Sequence, residues 1–110
     1  MAWFNWAHQV GTEEWLCLTF EEALAVFALE VYWVDQSYSG NVWAPVSWRV
    51  EYRDATEQRQ PVVSPSGYTT DKVWFSRVNF EPVTTTALRV VAHLVEDKEG
   101  SIYEIRVLET

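Results

Sequence analysis

From Trp48 to Arg53 apolar and charged residues alternate without a break, Trp-Arg-Val-Glu-Tyr-Arg. A repeat of two does not fit a helix, whose faces recur every 3.6 residues, and it places Trp48, Val50 and Tyr52 on one side of an extended strand. Arg49, Glu51 and Arg53 then face water, so this stretch requires a sheet with one covered face. Val78 and Phe80 repeat the pattern between Arg77 and Asn79, as do Leu88–His93 and Ile102–Val107. Trp15–Phe20 adds another strand, with Trp15 and Trp48 expected in the core. A further strand is predicted from about Val26 to Trp33, where Phe27, Leu29, Val31 and Trp33 alternate with Ala28, Glu30 and Tyr32. Glu21–Leu29 also has the Ala, Leu and Glu content of a helix, with an acidic first turn that suits the helix dipole; the strand reading is favoured, with a short turn as the alternative for the first half of that segment. Glu81-Pro82 is expected to end its strand because proline has no ladder donor, and Glu96–Gly100 to close a hairpin. Short strands at this spacing predict an all-β, antiparallel sandwich or barrel. With 110 residues, 48% of them hydrophobic and 15% aromatic, the chain can bury a core of its own as one domain.

The charge narrows the choice of partner. Sixteen carboxylates against eight Lys and Arg give a formal charge of −8, a field that repels phosphates, so neither nucleic acid nor a membrane surface is an expected partner. No apolar run approaches the roughly 20 residues that span a bilayer. The single cysteine, Cys17, has no partner for an intramolecular disulfide. Nothing points to catalysis: His8 and His93 lie far apart in sequence and read as structural or surface residues, and there is no nucleophile elbow or phosphate loop.

Four stretches, taken in order, are more specific. They are Gly11-Thr12-Glu13-Glu14-Trp15 leading to Glu30-Val31-Tyr32-Trp33, then Ala44–Asp54, then Phe80–Val90, and finally Ile102–Val107. Together they resemble the galactose-binding, discoidin-like (F5/8 type C-like) accessory domains of bacterial glycoside hydrolases, over nearly the whole chain. The resemblance implies a jelly-roll β-sandwich spanning residues 1–110, a module of a larger protein that is secreted, periplasmic or on the cell surface. It implies no catalysis, but carbohydrate binding on behalf of a glycosidase, with a neutral glycan and the catalytic domain as partners. The alternative is a structural module that packs on the catalytic domain and binds no sugar. The chain departs from the family in starting close to the first matching motif, so the usual N-terminal strand and calcium loop are expected to be missing, with an exposed sheet edge that invites self-association. Glu104 matches a family glutamate that helps hold the calcium loop; one carboxylate is far short of the about 6–8 oxygens calcium takes.

A sugar offers apolar C–H faces and a polar rim, so aromatic rings beside short polar side chains are the residues to look for. Seven tryptophans are available. The loop after Trp33 sets Tyr38 and Trp43 beside Asp35, Gln36 and Asn41 and is the leading candidate; its alternative is a polar connection with two aromatics packed back on the sandwich. Trp33 itself, at a strand end, suits either the core or the site. Tyr68 and Trp74, flanking Thr69–Lys72, are candidates for a second wall. Trp3, Phe4 and Trp6 form another aromatic group, expected to cover a core edge or a neighbouring domain.

Overall fold

The strand-forming segments before and after Glu21 are one strand. In the computed structural model, which describes residues 13–110 and the backbone of 3–6, β2 runs unbroken over Glu13–Trp33. The expectations for His8 and for the side chains of Trp3, Phe4 and Trp6 lie outside the described residues. β2 continues through Glu21 because it bulges: Thr19 pairs with Ala87 and Leu24 with Thr85, so residues 20–23 face the single Thr86. A bulge bends a strand and increases its twist without ending it. The partner strand, β5 (Ser76–His93), does the same. Pro82 does not terminate it, because Val83 pairs with Val26 and Asn79 with Ala28, leaving residues 80–82 opposite Phe27 alone. There the ladder asks no donor of residue 82.

Among the described residues, β1 (Trp3–Trp6) and β6 (Ile102–Glu109) pair with β2, β3 (Ser47–Arg53) pairs with β5, and β4 (Arg59–Pro61) pairs with β3. The order is β1-β2-β5-β3-β4, with β6 on β2. All pairings are antiparallel. Beyond the bulge β2 lies between β5 and β6, pairing with both from Val26 to Val31. The expected hairpin at Glu96–Gly100 is therefore a crossover, since β2 holds the place beside β5 that β6 would need. The bends divide the strands into two facing layers. Leu16, Leu18, Trp48, Val50, Leu88 and Val90 of one join Val26, Leu29, Val31, Trp33, Val78 and Phe80 of the other in one buried cluster. The expected antiparallel β-sandwich is the fold observed.

Parity along β2 overturns one core assignment. Leu16 and Leu18 are buried, so Trp15 between Glu14 and Leu16 points outward, is 41% exposed, and carries the Arg89 guanidinium 4.7 Å above its ring. Trp48 is in the core as expected, edge-on to Trp33 at 5.6 Å and to Tyr68 at 5.0 Å. Its indole donates to the Thr69 carbonyl at 2.6 Å.

Loops 34–46 and 94–101 cross between the layers at the same end of the sandwich, and the segment leading into Ser76 arrives there too. Gly100 in the second loop is buried, and a Cβ there would strike Cδ2 of the buried Leu94. Gly100→Ala is expected to cost about 1–3 kcal/mol by overpacking, read as a lower urea midpoint with unchanged slope.

Candidate functional site

At the loop-bearing end, the outer face of the second layer collects aromatic rings. Val31 and Trp33 point inward and are wholly buried, so Glu30 and Tyr32 point outward. Beside them, Arg77 of β5 and Arg106 of β6 both pair with Glu30 in the ladder. Their guanidinium nitrogens approach the Glu30 carboxylate to 3.7 Å and 3.9 Å. Arg77 also donates to Asn79 Oδ1 at 2.9 Å.

One step toward the loops, the charged row gives way to rings. Tyr32 lies 5.3 Å from Phe75, 6.0 Å from Trp74 and 5.0 Å from Tyr103; Trp74 meets Phe75 edge-on at 5.4 Å. Arg106 sits 3.9 Å over Phe75 and 3.5 Å from Glu104. Tyr103 reaches this face through a bulge: Tyr32 pairs with Glu104 and Trp33 with Ile102, so Tyr103 is the extra residue and is turned outward. The Tyr32 hydroxyl donates to the Val73 carbonyl at 3.3 Å and ties the 71–75 loop to the strands. Trp74 and Tyr103 remain 59% and 62% exposed. Aromatic surface kept this open, next to fixed donors and acceptors, makes the cluster a candidate site.

The residues expected from the sequence divide among three places. Trp74 is in the ring cluster. Trp33 is fully buried, whereas Tyr68 is half-buried and packs on Trp48 while its hydroxyl accepts from Val50 N at 3.1 Å. Burial raises the Tyr68 phenol pKa, against the lowering effect of that hydrogen bond. The inward parity of residues 31 and 33 removes Trp33 from any sugar platform, and Tyr68 spends one ring face and its hydroxyl on the core side, at Trp48 and Val50.

Asp35, Gln36, Tyr38, Asn41 and Trp43 do share one loop. Tyr38 is 85% exposed, and Gln36 and Asn41 are exposed. Trp43 is half-buried, its indole donating to the Gly40 carbonyl at 3.0 Å and its ring 5.1 Å from the Lys98 ammonium. Among the described residues no ring contact joins this loop to the Tyr32 cluster. Asp35 organises the loop: its carboxylate accepts from Ser37 Oγ at 2.6 Å, Ser37 N at 3.1 Å and Ala44 N at 2.9 Å, with Lys72 at 4.0 Å. Burial pushes its pKa up, but these hydrogen bonds and the lysine hold it below the ordinary aspartate value. The stability Asp35 contributes is thus fully present above the unfolded pKa of about 3.9 and is lost as pH falls through the lower folded value. Asp35→Ala is expected to cost about 1–3 kcal/mol at pH 7 by leaving buried donors unpaired, with the difference from the parent shrinking in acid urea titrations.

Glu104 lies on the outer face, paired with Arg106, and among the described residues no group of three His, Cys, Asp or Glu side chains is placed to hold a metal ion. Sequence reasoning missed Tyr32, Phe75, Tyr103 and Arg106. The parity of β2 already turns Tyr32 away from Val31 and Trp33, whereas the bulge that exposes Tyr103 leaves no mark in the residue pattern.

No protein-family profile matches the chain. Solved structures do. A structure of the beta-galactosidase BgaA of Streptococcus pneumoniae matches over 99% of this chain and 75% of its own, at 20% identity and a TM-score of 0.76. The family 32 carbohydrate-binding module of EndoD, also from Streptococcus pneumoniae, matches over 96% and 75%, at 11% identity and a TM-score of 0.68. A third, CBM32-3 from a family 31 glycoside hydrolase of Clostridium perfringens, matches over 100% and 76%, at 16% identity and a TM-score of 0.66. The chain therefore shares its β-sandwich fold with these carbohydrate-binding modules.

Proposed function

We propose that the chain is a non-catalytic carbohydrate-binding module that brings an associated glycoside hydrolase to neutral glycans. The observation that carries this reading is the exposed cluster of Tyr32, Trp74, Phe75 and Tyr103 beside the Arg77–Glu30–Arg106 row, on a fold shared with carbohydrate-binding modules. Trp74 and Tyr103 offer faces for sugar C–H groups, and the arginines and carboxylates supply donors and acceptors for hydroxyls. The ring planes are tilted by 51–59° around Tyr32, so the surface is faceted. It fits single sugar units of a soluble chain better than the flat face of a crystalline polysaccharide. A shallow surface of this kind buries little ligand area, so affinity per module is weak and tethering to the enzyme makes it effective.

The test is a screen of the purified chain against immobilised neutral glycans, followed by tryptophan fluorescence titration of the hits. Saturable binding with an emission change is expected. A folded protein that ignores every glycan sinks this reading and leaves the packing module in its place.

A further inference from the structure

Away from the ring cluster, at the other end of the sandwich, a groove of about 440 Å³ opens between the β2 bulge and β6, lined by Phe20, Leu24, Ile105 and Val107 with Glu21, Glu22 and Glu109. Ile105 and Val107 pair with Val31 and Leu29 and share their inward face. On β2 those inward residues are wholly buried, but on β6 they are only half covered. The apolar floor is thus core surface that the opposite layer does not reach, exposed because residues 20–23 bulge out of the ladder. Every charged lining residue is a carboxylate, all three are exposed, and none has a cationic partner among the described residues. Along the groove β6 pairs with β2 alone, which leaves its other edge open to a strand among the described residues.

We propose that this groove takes an extended basic segment of a partner protein, with lysines or arginines alternating with aliphatic residues. Its aliphatic side chains cover Phe20, Leu24, Ile105 and Val107, its cations meet Glu21, Glu22 and Glu109, and its backbone continues the sheet from β6. Period two in the segment is what separates the two chemistries onto the floor and the rim. A second copy of this chain is a poor occupant, since each copy carries a charge of −8 and would set carboxylates against carboxylates.

The probe is a fluorescein-labelled octapeptide of alternating lysine and valine, titrated with the full chain and followed by anisotropy at low salt. It is expected to bind. The Glu21→Gln/Glu22→Gln/Glu109→Gln triple variant is expected to weaken it about tenfold, in line with three solvent-exposed ion pairs. These are exposed side chains, so the variant is expected to fold, as thermal melting will check. Leu24→Ser tests the floor separately and is also expected to weaken binding. The proposal is overturned if the peptide does not bind, if the triple variant binds it as tightly as the parent, or if a block peptide of four lysines and four valines binds equally well, which means charge alone. It is also overturned if sedimentation shows a dimer that the peptide cannot disperse. None of these variants touches the Tyr32 cluster, so glycan binding is expected to stay unchanged in all of them.

Discussion

Trp74→Ala is expected to weaken glycan binding about thirtyfold, with Tyr103→Ala close behind, on the scale of aromatic hot spots of about 2 kcal/mol. Trp74 is exposed and sits on a loop. Its contacts are with the rings of Tyr32 and Phe75, so its removal strips sugar-facing area with little loss of core. The near-ultraviolet circular dichroism and melting temperature are therefore expected to stay near those of the parent. Arg106→Ala acts differently, because it removes a hydrogen-bond donor, uncovers one face of Phe75 and leaves Glu30 with Arg77 alone. Titration calorimetry on a glycan hit separates these effects. If Trp74→Ala binds like the parent while Trp43→Ala or Tyr38→Ala abolishes binding, the site is the 34–46 loop and the ring cluster has another use.

Trp33→Ala is expected to be the most destabilising single change in the chain, at about 3–5 kcal/mol. Trp33 is wholly buried and joins the two layers through its edge contact with Trp48. A domain of this size has a total stability of about 5–15 kcal/mol, so the variant is expected to be partly unfolded at 37 °C. Trp33→Phe makes the informative comparison. The indole nitrogen has no hydrogen-bond partner among the described residues, and a phenyl ring removes that donor while keeping most of the apolar contact. A smaller loss than for alanine is expected, measured as the shift in urea midpoint. Equal losses from both variants would mean that the indole ring's full size is what holds the layers together.

Much of the fold is legible in the residues. Strict alternation at Trp48–Arg53 requires a one-sided strand, and β3 is that strand, with Trp48 and Val50 inside. The same period places Val78, Phe80, Leu88 and Val90 in the core. Alternation is local, since it depends only on neighbouring side chains taking opposite sides of a pleat. What it does not contain is where two strands lose register. The segments on either side of Glu21 look separate because residues 20–23 break the pattern, and Pro82 looks like a stop. Both are bulges absorbed by a partner strand more than 50 residues away in sequence.

The candidate site divides along the same line. Trp74 stands out by residue type, and a loop of Asp, Gln, Tyr, Asn and Trp looks like a sugar site by composition. Yet composition does not say which polar group is free. Asp35 spends its carboxylate on Ser37 and Ala44, and Tyr68 closes over Trp48. Conversely, Tyr103 joins the rings only because β6 carries one extra residue between Glu104 and Ile102.

The sequence by itself determined that this chain makes a sheet with one buried face and that it carries a net charge of −8, because side-chain parity and net charge are properties of the chain. Tertiary structure alone decided which aromatic rings meet at the surface, since that depends on pairings between strands far apart in sequence and on bulges that turn single residues outward.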